Sequence, residues 1–222
     1  MFRTTTFLAV LFTGAALTAA ISPSLAQVDA KKAPAAAVRE IPSGNRETAI
    51  FAGGCFWGVE GVFSHVKGVV SAISGYTGGK APTARYEAVS TGTTGHAESV
   101  KVVFDPHQVN YADLLRVYFS VVADPTQVNR QGPDEGTQYR TALFPLSGAQ
   151  TKVARAYIAQ LGAAHVYPRP IATRLERQQG FFAAEGYHQN FMARNPDYPY
   201  ILINDRPKVE ALKRLFPQSW KS

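Results

Sequence analysis

The sequence has almost no cysteine: among its 222 residues only Cys55 carries a thiol. One thiol excludes a disulfide within the chain, a zinc site built from several cysteines and a cysteine-held iron–sulfur cluster. The histidines outside the motifs discussed below, His65, His107 and His165, are not spaced like metal ligands. We therefore predict no metal site.

The sequence also lacks a hydrophobic run of the roughly 20 residues that a membrane-spanning helix needs. Residues 6–20 are largely apolar, follow a short cationic start and precede residues 24–26, which resemble a secretory cleavage site. This pattern predicts a signal peptide over residues 1–26. We expect an exported protein, periplasmic in a Gram-negative bacterium and otherwise extracellular.

No break in composition divides the rest of the chain into several domains. Residues 27–44 are rich in Ala, Lys and Pro and keep no helix or strand period, which predicts a flexible linker. Residues 45–222 contain no similar stretch and no internal repeat, so we predict one catalytic domain.

Positive charge is in excess, but it is not concentrated. Lys and Arg number 23 against 16 Asp and Glu, a formal net charge of +7. These basic residues are scattered, without a dense run or a helix with one cationic face, which a surface that follows nucleic-acid phosphates would need. We predict a solvated basic surface and no nucleic-acid partner.

Strand and helix patterns mix along the domain. Residues 48–52 form a short apolar run that is typical of a buried strand, and residues 98–104 alternate between apolar and polar. Asn110 and Ser147 stand where they would cap two helices. Because the elements follow no strict βαβ repeat, the pattern favours an α+β fold.

Cys55 follows Gly53 and Gly54, which suit a tight turn between a strand and the helix that begins there. A free cysteine is commonly a small buried hydrophobe. At a helix N-terminus, however, the backbone N–H groups and the helix dipole favour the thiolate, the nucleophilic form. An unpaired thiol in an exported protein also needs a reason. Phe56 and Trp57 beside it are either ordinary packing residues or an aromatic wall for a methyl or thioether group.

Glu98 is the second candidate residue. The alternation places it on the face of Val100, Val102 and Phe104, the side that we expect to be buried. Burial raises the pKa of a carboxyl group and keeps its proton near neutral pH, as a general acid requires. The alternative is a residue at the strand start whose carboxylate still reaches solvent. His96 in the preceding loop favours a functional site.

Three further residues, Tyr86, Asp134 and Tyr139, lie in polar or loop-like stretches, where most such side chains are simply surface residues. The segment 129–140 is a long polar loop within a compact domain, and such loops are often functional. The stretch 185–189 is compatible with either ligand binding or packing.

Several segments resemble the A-type peptide methionine sulfoxide reductases and keep the order of that family's motifs. They are residues 54–60 (GCFWGVE), 75–79 (GYTGG), 94–98 (TGHAE), 104–106 (FDP), 129–132 (NRQG), 136–140 (GTQYR) and 187–189 (YHQ). A single tetrapeptide would be weak support, but the ordered set is specific.

The resemblance implies a role for each candidate. Cys55 attacks the sulfur of methionine sulfoxide, and Glu98 supplies the proton that lets the sulfoxide oxygen leave. Tyr86 and Tyr139 would donate hydrogen bonds to that oxygen, and Asp134 would order the pocket through water. The substrate would be bound by Phe56, Trp57, Gly54 and His96.

The family resemblance further implies a two-layer α/β sandwich around a mixed sheet, action on the S epimer in proteins and in the free amino acid, and no bound cofactor. Many family members resolve the oxidised cysteine with a second one, which this chain lacks. An external thiol, either thioredoxin-like, glutaredoxin-like or small, is then required. We expect a monomer that repairs oxidised exported proteins. Ala123 stands where the family commonly has His.

Two other functions remain as alternatives. A cysteine hydrolase would use Cys55 with His96 as its base. An exported ligand-binding module would keep binding its ligand after the substitution Cys55→Ser. Neither alternative accounts for the ordered motifs.

Overall fold

The computed structural model describes Met1 and residues 30–222. Apart from Met1, the predicted signal peptide, residues 1–26, lies outside the described residues and stays a prediction. Within the described residues, no helix is both long enough and apolar enough to cross a lipid bilayer.

A mixed six-stranded sheet runs through the domain. The strands, in chain order, are β1 (Glu47–Gly53), β2 (Val69–Thr77), β3 (Ala97–Phe104), β4 (Arg130–Gln131), β5 (Asp134–Glu135), β6 (Thr141–Leu143), β7 (Arg174–Leu175) and β8 (Phe181–Ala183). Across the sheet the order is β7, β6, β1, β3, β2 and β8, and every neighbouring pair is antiparallel except β6 with β7. β4 and β5 form a separate antiparallel pair.

Helices and short turns connect these strands. The α-helices are α1 (Phe56–Ser64), α2 (Tyr86–Val89), α3 (Tyr111–Val117), α4 (Gly148–Ala163), α5 (Phe191–Arg194) and α6 (Arg206–Leu215). Two π-helical turns, Tyr118–Val122 and Ile201–Asp205, follow α3 and precede α6. The 3₁₀ turns are Ala81–Thr83, Thr137–Tyr139 and Pro217–Ser219. The two predicted helix caps are confirmed, because the side chains of Asn110 and Ser147 accept hydrogen bonds from backbone N–H groups three residues later.

The helices cover one face of the sheet. Phe51 of β1 stacks on Phe63 of α1, on Tyr111 of α3 and on Tyr118, with ring centroids 4.7, 5.9 and 5.7 Å apart. Burial of each such side chain contributes roughly 1.5–3 kcal/mol. Ile50, which points to the opposite face, belongs to a much smaller apolar cluster formed mainly by strand residues. The predicted α+β class, with two layers and a single domain, is confirmed.

The segment before β1 corrects one prediction. Residues 30–44 form no helix or strand, as expected for a linker, but Ala33 and Ala36 are buried against the helices. The Arg116 Nε–H donates to the Ala33 carbonyl at 2.8 Å, and the Ala33 N–H donates to Ser120 Oγ at 2.9 Å. From residue 30 onward this segment is therefore not a free linker.

Residues farther along the same segment are fixed by α4. The Tyr157 hydroxyl donates to the Pro34 carbonyl at 2.6 Å. The Gln160 amide donates to the Ala35 carbonyl and accepts from the Ala37 N–H, each at 2.8 Å. Composition alone missed this packing, because the partners of the segment lie more than 80 residues away in sequence.

We expect the segment to stabilise the domain. A variant that begins at residue 45 loses these hydrogen bonds, each worth about 1 kcal/mol net, and exposes the surface beneath Ala33. Because ordering the segment costs conformational entropy that offsets part of this gain, the variant's free energy of unfolding in urea should be lower by about 2–4 kcal/mol than that of a control that begins at residue 27. Equal values for the two variants would show that the segment contributes nothing to stability.

Candidate active site

Cys55 lies at the turn between β1 and α1, as the sequence predicts. Gly54 has a φ of +89°, and a Cβ built there would lie 2.5 Å from the Cβ of Gln131, so the turn requires glycine. Cys55 is the residue immediately before α1, and it is 8% exposed. The only thiol of the chain is thus held at the edge of the protein interior.

The protonation state of Cys55 differs from the sequence-based expectation. Burial, followed by the charges of Glu98 and Asp205, raises the pKa of the Cys55 thiol well above its usual value. The Trp57 backbone N–H, which belongs to the start of the helix, lowers the pKa but only in part offsets this rise. The expectation that the helix N-terminus makes Cys55 a thiolate is wrong for the free protein, because burial outweighs the helix.

Glu98 lies at the start of β3, opposite Tyr76 of β2, and is 2% exposed. Its Oε2 accepts a hydrogen bond from the Phe56 N–H at 3.0 Å. Burial raises the pKa of Glu98 to about 8, with the charges of Asp134 and Asp205 adding to the effect and the Phe56 N–H opposing it. The burial that the alternation predicts is confirmed, and Glu98 keeps its proton near neutral pH.

The aromatic residues after Cys55 form part of a larger cluster. Phe56 is fully buried, with its ring 5.8 Å from that of Tyr76. Trp57 is half-buried and stacks on Phe191 of α5 with ring centroids 3.8 Å apart. Its Nε1–H donates to Nδ1 of His188 at 3.2 Å. The stacking on Phe191 and the hydrogen bond to His188 together fix the orientation of the Trp57 indole ring.

Tyr86 and Tyr139 are half-buried, on α2 and on the turn Thr137–Tyr139. Burial raises the pKa of both hydroxyls, and the charges of Glu98, Cys55 and Asp134 raise it further. The two tyrosines are therefore neutral hydrogen-bond donors that lie within electrostatic reach of the same three groups. The structure brings all five predicted catalytic side chains into one site.

Asp134, on β5, lies within the polar loop that the sequence marked as functional. Its Oδ2 accepts a hydrogen bond from the Tyr200 hydroxyl. Burial raises the pKa of Asp134, while the bond from Tyr200 and the charge of Lys208 oppose that rise. Tyr200 also packs edge-on against Trp57, with ring centroids 5.9 Å apart. This tyrosine connects Asp134 to the aromatic wall.

His96 requires a correction. It is 1% exposed, its Nδ1 accepts from the Gly79 N–H at 3.3 Å, and its Nε2 lies 3.1 Å from the Lys80 carbonyl oxygen. A Cβ on Gly79 would lie 2.4 Å from the ring. Both ring nitrogens are occupied by the loop after β2, so His96 holds that loop and does not bind substrate. The alternative function as a cysteine hydrolase therefore loses its base.

Sequence reasoning missed Asp205, the last residue of the Ile201–Asp205 turn. Its side chain is fully buried and pairs with Lys208 at 3.2 Å, while its Oδ2 has no hydrogen-bond partner among the described residues. A Cβ on Gly58 of α1 would lie 2.1 Å from Asp205 Oδ1. Burial raises the pKa of Asp205, and Lys208 lowers it. No local pattern links Asp205 to the site, because it packs against Gly58, which is far away in sequence.

His188, Phe191 and Tyr200 were also missed as parts of the site. The stretch 185–189 drew attention for its composition, but packing and ligand binding were not separable from sequence. Among the described residues, no group of three or more His, Cys, Asp or Glu side chains is arranged to hold a metal ion.

Comparison with known proteins identifies the family of the chain. The family model described as peptide methionine sulfoxide reductase matches residues 47–220. The chain belongs to this family. It is 60% identical over 171 residues to peptide methionine sulfoxide reductase MsrA 2 of Mesorhizobium japonicum, covering 77% of this chain and 88% of the relative. It is 48% identical to MsrA 2 of Synechocystis sp., covering 79% and 82%.

Solved structures agree with this assignment. Reduced Mxr1 from Saccharomyces cerevisiae has a TM-score of 0.64 at 30% identity, covering 72% of this chain and 91% of that one. Methionine sulfoxide reductase A of Corynebacterium diphtheriae has a TM-score of 0.58 at 34% identity, covering 69% and 77%. The predicted family, fold and enzyme class, an A-type methionine sulfoxide reductase, are confirmed.

The protonated state of Glu98 makes stability depend on pH. Between the ordinary glutamate pKa and about 8, the folded protein keeps a proton that the unfolded chain has lost, so stability falls as pH rises. From pH 5 to 9, the free energy of unfolding of the unaltered protein should decrease by on the order of 4 kcal/mol relative to Glu98→Gln. Parallel pH curves for the two proteins, measured by urea unfolding, would contradict the raised pKa.

The contact between Gly58 and Asp205 is testable with a matched pair of glycines. Gly58→Ala should destabilise the protein by about 1–3 kcal/mol, because the new methyl group displaces a buried carboxylate. Gly162→Ala in α4 meets no atom within 4 Å and should stabilise by about 0.5–1 kcal/mol. The measurement is again urea unfolding, and a Gly58→Ala variant as stable as Gly162→Ala would disprove the tight contact.

Proposed function

We propose that the protein reduces the S epimer of methionine sulfoxide, in proteins and as the free amino acid, to methionine, with Cys55 as the nucleophile. The observation that carries this proposal is the start of α1, where Cys55 directly precedes Phe56, whose backbone N–H donates to the buried, protonated Glu98 carboxyl. A nucleophile and an acid side by side suit the reduction of a sulfoxide, in which sulfur is attacked while oxygen is protonated.

The proposed first step transfers the sulfoxide oxygen. Cys55 sulfur attacks the substrate sulfur as Glu98 protonates the sulfoxide oxygen, which forms a sulfur–sulfur bond. The substrate's sulfur–oxygen bond then breaks, the oxygen bonds to the Cys55 sulfur as a hydroxyl group, and the sulfur–sulfur bond breaks. The products are methionine and the sulfenic acid of Cys55. The substrate sulfur gains two electrons and the Cys55 sulfur loses two. The proton of the Cys55 thiol returns Glu98 to its acid form, so the step needs no outside reductant.

The other residues have supporting roles in this proposal. Tyr86 and Tyr139, kept neutral by their raised pKa, donate hydrogen bonds to the sulfoxide oxygen. Phe56 and Trp57 hold the substrate methyl group. Asp134, fixed by Tyr200, orders water in the pocket. Gly54, whose bare side is packed against Gln131 and not open to substrate, contributes by forming the turn that presents Cys55. Because the methyl group and the oxygen of the substrate each have a fixed binding place, only one of the two epimers can present its sulfur to Cys55.

The proposed second step regenerates Cys55. The chain contains no other cysteine, so an external thiol must attack the sulfenic acid, release water and form a mixed disulfide. A second thiol then frees Cys55. We propose a thioredoxin-like protein, a glutaredoxin-like protein or a small thiol as the reductant. The protein itself holds no cofactor in this scheme.

We further propose that the protein is an exported monomer that repairs oxidised proteins in the periplasm or outside the cell. The predicted signal peptide supports export. Only one methionine, Met192, follows residue 26, which limits damage to the protein by the oxidants it meets there.

A single turnover without added thiol tests this function. Reduced protein mixed with S-epimer methionine sulfoxide should release one equivalent of methionine, and a sulfenic-acid trap should add its mass at Cys55. Cys55→Ser should release none, and Glu98→Gln should react about 10²–10⁴-fold more slowly because it has no proton to give. Turnover beyond one equivalent should require a thiol. Folded, reduced protein that releases no methionine would refute the proposed reaction.

A further inference from the structure

A cavity of about 270 Å³ lies behind Trp57, between α1, α5, the Ile201–Asp205 turn and α6. Most of its wall is apolar and comes from Trp57, Gly61, Met192, Ile201 and Val209. A Cβ on Gly61 would lie 2.5 Å from Met192 Sδ, so the glycine makes room for the Met192 side chain in this wall. The proposed mechanism does not use this cavity. Trp57 nevertheless separates the two, because it forms a wall of the active site and also lines the cavity.

The cavity also contains a buried carboxylate, that of Glu60, which is 2% exposed. Its Oε2 accepts hydrogen bonds from Ser74 Oγ and from the Asn190 N–H, each at 3.0 Å. Its Oε1 is buried and has no hydrogen-bond partner among the described residues. An unpartnered carboxylate oxygen is costly to bury, so a ligand with N–H donors would satisfy a group that the protein leaves unpaired.

The basic residues nearby are already engaged. Burial raises the pKa of Glu60, and the hydrogen bonds to Oε2 and the charge of Arg194 offset only part of that rise. The Arg194 guanidinium, however, donates to the backbone carbonyls of residues 186, 187 and 189, and no ion pair to Glu60 is found in the described part of the chain. Arg206 donates to the Pro196 carbonyl at 2.6 Å and lies 3.8 Å from Asp197. The Glu60 carboxyl, which lines the cavity together with Ser64 and His65, is therefore left without a basic partner within residues 30–222.

This chemistry selects one class of ligand, an ammonium or guanidinium group on an aliphatic stem. The cation would pair with Glu60, and the apolar walls would cover the methylene groups. Glu60 follows Trp57 by three residues on α1 and therefore lies about one helical turn farther along the same face. The rise between them, roughly 4.5 Å, is close to the 3.8 Å spacing of successive residues in a peptide.

We propose that this cavity, the Glu60 subsite, binds a lysine or arginine side chain that flanks the methionine sulfoxide in a protein substrate. The inference rests on the proposed function, because the oxidised methionine must lie at Cys55 for the flanking basic residue of the substrate to reach the cavity. The subsite would favour protein sites in which a basic residue stands next to the oxidised methionine.

Short capped peptides that contain one S-epimer methionine sulfoxide test the subsite. Lysine or its uncharged isostere norleucine is placed one or two residues before or after the sulfoxide. We expect kcat/KM to be about ten-fold higher with lysine in at least one position, mainly through a lower KM, since a hydrogen bond to a charged group is gained. Equal kcat/KM values for lysine and norleucine at every position would overturn the proposal.

Variants separate the subsite from general electrostatic attraction. Glu60→Gln removes the charge, and Ala193→Phe fills the cavity from its exposed rim without touching Glu60. Both should reduce the lysine-to-norleucine ratio to about one. Glu87→Gln, which removes an exposed carboxylate outside the cavity, should keep the full ratio. A ratio that persists in Ala193→Phe, or that disappears in Glu87→Gln, would show that lysine does not bind in this cavity.

N-acetylmethionine S-sulfoxide amide, which has no flanking side chain, distinguishes the two proposals. If the unaltered protein reduces this compound but does not distinguish lysine from norleucine, the Glu60 subsite is wrong and the proposed reaction stands. If it reduces neither the compound nor the peptides, the proposed reaction itself is wrong.

Discussion

Two backbone N–H groups at the start of α1 organise the site. Unpaired N–H groups at a helix start need partners. Here the N–H of Phe56 donates to Glu98 Oε2, and the N–H of Trp57 points close enough to the Cys55 thiol to lower its pKa. The same two residues contribute the aromatic side chains beside the thiol. Because β1 pairs with β3, with Phe51 opposite Val100, the sheet register carries Glu98 to the start of the helix that follows β1.

Burial then allows several acids to share this small space. Burial raises the pKa of Glu98 to about 8 and also raises those of Asp134 and Asp205, so each is more easily protonated than in water. Lys208 compensates part of the remaining charge beside Asp205. Neighbouring carboxyl groups that would repel one another in their charged forms can therefore pack around the Cys55 thiol. A proton available on Glu98 is a consequence of this environment.

Local sequence patterns predicted correctly those features that depend only on residues close together in the sequence. The turn before Cys55 follows from paired glycines after an apolar run, and the burial of Glu98 follows from alternation along β3. The patterns failed where the deciding contact is remote in sequence. His96 is occupied by the loop after β2, Asp205 reaches the site from near the C-terminus, and residues 30–44 pack on helices that no periodicity within the segment reveals.

The position of Cys55 also constrains the order of events in the proposed cycle. Cys55 as a whole residue is 8% exposed, so substrate and reductant must approach the same small part of its surface. The C-terminal residues nearest the site, Tyr200 and Asp205, supply a hydroxyl and a carboxyl but no thiol. The oxidised cysteine therefore waits, after methionine has left, until an external thiol takes the place of the substrate. Such alternation of two partners at one atom is the structural basis of ping-pong kinetics.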